Sequence, residues 1–233
     1  MPRRSLVGAH VAVLGASGVL GGHVATVLHE RGATVIGVGR RPERLRAVSG
    51  VTGSSVVGDL TDATLGERLV EVVQERHGRL DGVVNAAGAV AFGPLVDTPD
   101  EVIEHLFLTN VVGPLWLLRR VLPLLVDSRG FVAQISGVVA ERPTAGMVAY
   151  SASKAALAAA DLALGQELRR LGVDVVDLRV PHTETGLAGR AVAGRAPRLP
   201  QGLEPGVVAR QVVDAVESRV TTVTAADFLA GTS

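Results

Sequence analysis

The chain has 233 residues, 47% of them apolar and only 3% aromatic, with 23 basic and 23 acidic side chains and no cysteine. The missing cysteines exclude disulfides, thiol nucleophiles and thiolate metal sites. The balanced charge gives no ground for a nucleic-acid partner or an anionic membrane. Six histidines (His10, His23, His29, His77, His105 and His182) include no pair at helical ligand spacing, so no metal site is expected.

With so few aromatics the core has to be built from Val, Leu, Ala and Ile, a composition that suits buried parallel strands covered by helices. The opening Met1-Pro2-Arg3-Arg4 is followed by a short apolar stretch that contains His10 and runs into a glycine turn, so 9–14 reads as a first strand and not as a signal peptide. The pattern then predicts a helix over 18–31, a strand over 34–38, a short helix over 42–48 and a strand over 54–57. Residues 64–77 read as a helix with Leu65, Leu69, Val72 and Val73 on one face. A strand over 80–84, helices near 99–106 and 111–126, a strand over 131–135, a long helix over 149–171 and a strand over 173–179 follow. The stretch 181–205, rich in Gly, Pro and Arg, is expected to be a mobile flap. A helix near 206–218 and a last strand near 221–224 close the chain. The alternation of strand and helix calls for an α/β fold: one domain over 1–233, a doubly wound parallel sheet with right-handed crossovers and helices on both faces. No run approaches the roughly 18 apolar residues of a membrane span, and a soluble cytoplasmic protein is expected.

The first strand ends in Gly15-Ala16-Ser17-Gly18-Val19-Leu20-Gly21. Three glycines between a strand and a helix let the backbone approach a pyrophosphate, and the helix start offers free N–H groups and partial positive charge. Gly15, Ser17, Gly18, Leu20 and Gly21 are therefore candidate dinucleotide contacts in a Rossmann-type site. At the end of the second strand an NAD site would carry a carboxylate for the ribose 2′-hydroxyl. Here the chain reads Val38-Gly39-Arg40-Arg41. Arg40 and Arg41 can meet a 2′-phosphate, or form a solvated pair at a helix start; the first reading predicts NADP(H) in preference to NAD(H).

Further motifs follow in order. Asp59-Leu60 comes after the third strand, Asn85-Ala86-Ala87-Gly88 after the fourth, Asn110 in the middle helical region, and Tyr150-Ser151-Ala152-Ser153-Lys154 in the long helix. Together with the glycine turn these resemble the short-chain dehydrogenase/reductase family over nearly the whole chain. The glycine motif departs from the family pattern in having Val19 where the middle glycine is usual, and Ala86 replaces a second Asn. The resemblance implies that Asp59 and Leu60 contact adenine, that Asn85, Ala86 and Ala87 line the cofactor, that Lys154 holds the nicotinamide ribose and that Asn110 anchors a water in a proton relay. Four positions along a helix is one face, so Lys154 can stand beside Tyr150 and favour its phenolate. A free phenol has a pKa of about 10 and needs such help near neutral pH. Tyr150 would then give a proton to a carbonyl oxygen or take one from an alcohol.

The family's catalytic Ser stands thirteen residues before the Tyr, which falls on Gly137. Ser136 is one residue early, and neighbouring strand side chains face opposite ways. It can substitute only if the strand end bulges or twists. Loss of one oxyanion donor costs about 10²–10³ in rate. Pro181-His182-Thr183-Glu184-Thr185 resembles the family's segment at the nicotinamide carboxamide, with His182 in place of a Gly and Thr183 or Thr185 available for that contact. His182 and Glu184 either face substrate or are solvated loop residues. Gly137, Val138, Met147 and His182 are the candidate substrate contacts, and Val139, Ala140 and Val148 further apolar wall.

Two functions are compatible with this pattern: an NADP(H)-dependent oxidoreductase acting on a carbonyl, alcohol or imine, and a non-catalytic NADP(H)-binding or regulatory protein on the same scaffold. Asn110, Tyr150 and Lys154 favour the first; Gly137 favours the second. A small-molecule substrate is the expected partner, with neither nucleic acid nor membrane. The family usually pairs through the helices of Asn110 and Tyr150, and the Ala- and Leu-rich run 155–164 predicts a helix buried on more than one side, hence a homodimer or homotetramer.

Overall fold

The computed structural model describes residues 2–48, 50–51 and 54–231. Seven strands form one all-parallel sheet: β1 His10–Leu14, β2 Thr34–Gly39, β3 Ser55–Val57, β4 Gly82–Asn85, β5 Phe131–Ile135, β6 Asp174–Leu178 and β7 Thr222–Val223, in the order β3-β2-β1-β4-β5-β6-β7. The order reverses between β1 and β4, and at such a switch point the strand ends open a crevice. The strands are apolar on both faces because both are covered. On one face Val11, Val13, Val84, Ala133 and Val176 meet α1 (Val19–Glu30) and α7 (Pro205–Ser218) through Val24, Leu28, Val208 and Val212. On the other, Ala12, Leu14, Val83, Val132 and Val175 meet α3 (Leu65–Arg76) and α5 (Gly113–Ser128) through Leu69, Val73, Leu117 and Val121. Each such Val or Leu side chain, fully buried, contributes roughly 1.5–3 kcal/mol.

The two predicted middle helices are one. α4 (Asp100–Phe107) passes through a π-helical turn, Leu108–Val112, directly into α5, giving a continuous 29-residue helix Asp100–Ser128. It is long and apolar enough to cross a membrane, but Leu106, Leu117, Leu118, Val121 and Leu125 are buried in the fold, against the sheet and its neighbouring helices. The helix break expected at Asn110 is thus a widened turn and not an interruption. α6 spans Val148–Leu168 and is extended by a tight turn, Arg169–Leu171. A final helix, α8 (Ala225–Ala230), follows β7; Thr224 and Asp227 form its capping box, a Thr-x-x-Asp signal that the strand-and-helix pattern passed over. The short helix α2 (Pro42–Arg46) lies between β2 and β3.

Candidate active site

The glycine turn after β1 is built by close approach. Gly15 has φ +78°, and the Gly15 and Ala16 N–H groups donate to the Val38 carbonyl at 2.9 and 3.2 Å. A Cβ on Gly15 would stand 2.9 Å from the Ala87 backbone, and one on Gly21 would stand 2.3 Å from the Gly15 oxygen. Only glycine lets strand, turn and helix meet here. Gly18 caps α1 without a side-chain hydrogen bond, and the first turn carries no acidic residue. The positive end of the helix therefore faces the cleft unopposed.

The cleft, about 710 Å³, opens at the C-terminal ends of the strands. Its walls include Gly15, Ser17, Gly18, Leu20, Gly21, Arg40, Arg41, Asp59, Leu60, Ala86, Ala87, Tyr150, Lys154, Pro181, Thr183 and Thr185, and also the four expected substrate contacts Gly137, Val138, Met147 and His182. Arg40 is largely exposed and reaches Asp59 at 3.3 Å. Burial raises the Asp59 carboxyl, but the Thr61 N–H and hydroxyl, each at 3.0 Å, and Arg40 outweigh it and leave it below its ordinary value. Arg44 adds a third guanidinium to this end, which the motif-based reading missed because it lies a helical turn beyond the diagnostic position.

Two predicted residues stand behind the wall, not on it. Asn85 is buried; its amide donates to Gln134 at 3.0 Å, and its oxygen accepts the Ala87 N–H at 3.2 Å. It shapes the wall without facing the cleft because parallel pairing sets it beside Gln134. Asn110 is buried as well. Its oxygen accepts the Ala89 N–H at 2.8 Å, and its amide donates to the Ala89 carbonyl at 2.9 Å and to Ser153 at 3.0 Å. The side chain pins the segment that follows β4.

Tyr150 and Lys154 reach the cleft together from the first two turns of α6. Burial pushes the Tyr150 phenol up to about 12. The lysine assistance expected from helical spacing does not lower it, because the Lys154 ammonium is turned to the Ile135 carbonyl at 2.7 Å. Burial pulls Lys154 down to about 8, with Asp161 and Asp177 acting in the opposite sense. At neutral pH Tyr150 is a protonated acid.

Ser136 does not replace the missing serine. Its hydroxyl donates to Asp177. Gly137 stands at φ +87°, ψ 162°, a region almost restricted to glycine. Its N–H donates to Leu178 at 3.2 Å, and Val138 donates to Val180 at 2.9 Å, so the turn is stitched to the chain after β6.

The segment over the cleft is tethered. Leu203 donates to His182 and accepts from Glu184, both at 2.9 Å, and Thr183 bridges Leu203. Val192 donates to Val90 at 2.9 Å, and Phe92 to Ala193 at 3.0 Å. The loop expected to be mobile is thus held at its base and its middle. His182 lies 3.5 Å from Glu184, which also accepts the Gly202 N–H at 2.7 Å. The Thr183 hydroxyl donates to the Pro181 carbonyl at 2.9 Å, and the Thr185 hydroxyl accepts the Leu187 N–H at 3.3 Å. Val139 joins the cleft wall, but Ala140 and Val148 do not. Phe92, His105, Leu187, Val192 and Leu199 line it too; they come from loops and a helix face that carry no motif. Among the described residues no group of three or more His, Asp or Glu could hold a metal ion.

The profile of the short chain dehydrogenase family matches residues 9–196. An uncharacterized oxidoreductase of Staphylococcus aureus (strain USA300) is 29% identical over 209 residues, covering 88% of this chain and 89% of that protein. The Danio rerio dehydrogenase/reductase SDR family member 7B is 30% identical over 226 residues, covering 88% of this chain and 73% of that protein. A crystal structure of a short-chain dehydrogenase from Streptomyces avermitilis superposes with a TM-score of 0.84 at 28% identity, covering 97% of this chain and 92% of that one. The chain belongs to the short-chain dehydrogenase/reductase family, and with it to the oxidoreductases that use a nicotinamide cofactor.

Proposed function

We propose that the protein is an NADP(H)-dependent oxidoreductase that interconverts a carbonyl, or an imine, with the corresponding alcohol or amine, using Tyr150 as general acid and base. The observation that carries this reading is the meeting of Tyr150 and Lys154 in the same cleft as the glycine turn and the arginines after β2. The cradle suits the cofactor: the Gly15–Gly21 approach leaves no room for a Cβ, and the start of α1 is free of acidic side chains. Gly15, Gly18, Gly21 and the start of α1 would hold the pyrophosphate, Arg40 with Arg41 or Arg44 a 2′-phosphate, and Lys154 the nicotinamide ribose.

The bound nicotinamide supplies or accepts the hydride. In reduction Tyr150 gives its proton to the substrate oxygen, and the Lys154 ammonium, held by the Ile135 carbonyl in this structure, would turn towards the phenolate to stabilise it; in oxidation the proton runs back. No hydroxyl stands at Gly137, so the substrate's developing negative charge meets one donor fewer. Substrates that carry a donor of their own, such as hydroxy-ketones or protonated imines, fit that arrangement. The apolar walls of Val138, Val139, Met147 and Leu187 favour a mainly hydrophobic one. Dependence on a nicotinamide cofactor supports a cytoplasmic location.

A second reading, a non-catalytic NADP(H)-binding protein, is favoured by one feature: Gly137 occupies a backbone conformation that a serine resists. The two are separated by titrating NADPH and NADH by fluorescence and then screening carbonyls, imines and alcohols at the nicotinamide absorbance. Turnover that is lost on replacing Tyr150 establishes the enzyme; tight NADPH binding without turnover on any class supports the binder.

A further inference from the structure

Lys154 is the only lysine in the chain. Behind it the fold departs from its own rule. The face of the sheet that carries Val83, Val132 and Val175 is apolar, but two residues further along the same strands the row is Asn85, Gln134 and Asp177, in register across β4, β5 and β6. α6 carries Lys154, Leu157 and Asp161 on one buried face, at three- and four-residue steps, and Asp161 meets this row through Gln134. An aliphatic side chain is expected at the third position; the chain places a carboxylate there, 3% exposed.

The layer is internally paired. Asn85 donates to Gln134 at 3.0 Å, and the other end of the Gln134 amide donates to one Asp161 oxygen. Ser136 donates to Asp177, whose second oxygen takes the Arg179 guanidinium at 2.9 Å; Arg179 also reaches Glu141 at 3.4 Å. Asp177 therefore has its own counter-charge. Asp161 has none of that kind: its second oxygen accepts no hydrogen bond from the described residues. The charged groups acting on it are Lys154 from its own helix and Asp177 from β6. β5 and β4 contribute only the neutral amides of Gln134 and Asn85. A buried polar set of this kind adds little to stability compared with apolar packing, so its presence calls for another reason.

We propose that Asp161 is a positioning residue for Lys154, an internal counter-carboxylate two helical turns behind it that keeps the lysine ammonium charged inside the protein. The proposal rests on the reading that Lys154 serves the cofactor ribose and Tyr150. Burial pushes the Asp161 carboxyl up to about 8, Asp177 adding to the rise and Gln134 and Lys154 opposing it; burial brings Lys154 down to about the same value. With rising pH the carboxyl gives up its proton, and the negative charge so formed strengthens the hold of Lys154 on its own. A cation that burial alone would discharge thus persists to higher pH.

The single lysine makes the test direct. Protein labelled with ¹⁵N at the lysine side chain gives one Nζ resonance, followed against pH without cofactor in the unmodified chain, Asp161→Asn and Asp161→Glu. An opposite charge within about 4–6 Å moves a pKa by about one to three pH units, and a more distant one by less. Lys154 is expected to titrate lower in Asp161→Asn, by up to about one pH unit, with Asp161→Glu restoring most of the difference. Equal titration in the unmodified chain and Asp161→Asn overturns the proposal. Should Asp161→Asn fail to fold, the unmodified curve decides: it must show a second inflection from the carboxyl, and a single simple step overturns the proposal. NADPH titrated over the same range then tests the underlying reading separately. If Lys154 shifts but the alkaline loss of NADPH affinity does not follow it, the ribose assignment falls while the role of Asp161 stands.

Discussion

Ser136 gives its hydroxyl to Asp177 on the neighbouring strand, and in doing so leaves the catalytic cleft without the oxygen that the position beside it lacks. The next residue, Gly137, turns through a left-handed φ of +87° with no neighbouring atom closer than 3.7 Å to an added Cβ. Space is available, but the backbone is not one that a serine adopts.

Gly137→Ser is therefore expected to cost about 1–3 kcal/mol in stability, the penalty of a non-glycine residue in such a region, and to bring no gain in kcat. Thermal unfolding and steady-state kinetics on the substrate identified by screening check this together. A variant as stable as the parent and about tenfold faster, the scale expected of a partly oriented oxyanion donor, would show that the glycine is merely a lost serine.

NADPH should bind more tightly than NADH. Arg40, Arg41 and Arg44 line the cleft beyond β2, and the run Val38-Gly39-Arg40-Arg41 that ends the strand carries no carboxylate for a ribose hydroxyl. Arg40→Asp should narrow or reverse the preference, since it removes a charge-assisted partner of the 2′-phosphate and puts a repelling carboxylate in its place. Fluorescence titration of both cofactors decides it, and equal dissociation constants in the unmodified chain would exclude the assignment.

Tyr150→Phe should abolish turnover and leave NADPH affinity nearly intact, because only the proton donor is removed. Lys154→Ala should reduce both. Since burial holds the phenol at about 12, Tyr150 stays protonated across the neutral range, and a rate of reduction limited by its proton should stay level there. As this is the only tyrosine, its ionisation is read from the ultraviolet difference spectrum. A phenolate forming near pH 7 without cofactor would contradict the assignment.

The chain is expected to assemble as a homodimer or homotetramer. Leu162 on α6 is 68% exposed and Leu115 on α5 is 39% exposed, leaving apolar side chains uncovered on the two helices through which the family pairs. Light scattering should give a dimer or larger at micromolar concentration, and Leu162→Arg should shift it towards monomer. A monomeric parent protein would refute the expectation.

The fold was legible because its signals are local and repeated. Gly15, Gly18 and Gly21 mark one turn, and runs such as Val11–Leu14 and Val35–Val38 have no alternative to burial on both faces. Tyr150 and Lys154 announce themselves by spacing. The hidden parts depend on contacts across the sheet. Asn85 was readable as a motif residue, but its partner Gln134 lies 49 positions away, and only strand register brings them together. Asp161 sits within an Ala- and Leu-rich helix whose apolar character drew the eye from its one core-facing acid. The π turn at Asn110 escapes periodicity because one extra residue in a helix looks like a break.

The cover of the cleft starts and finishes at one point. Thr183 and Leu203 meet, so the residues between them leave the body of the protein and return to it without displacing β6 or α7. Such a stretch is an exchangeable cassette. Its length and side chains can be rewritten, or swapped for those of a relative, provided the stitch from Val192 to Val90 is kept. A change confined to this stretch can thus alter part of the cleft wall, Leu187, Val192 and Leu199 among it, without moving the strands and helices below.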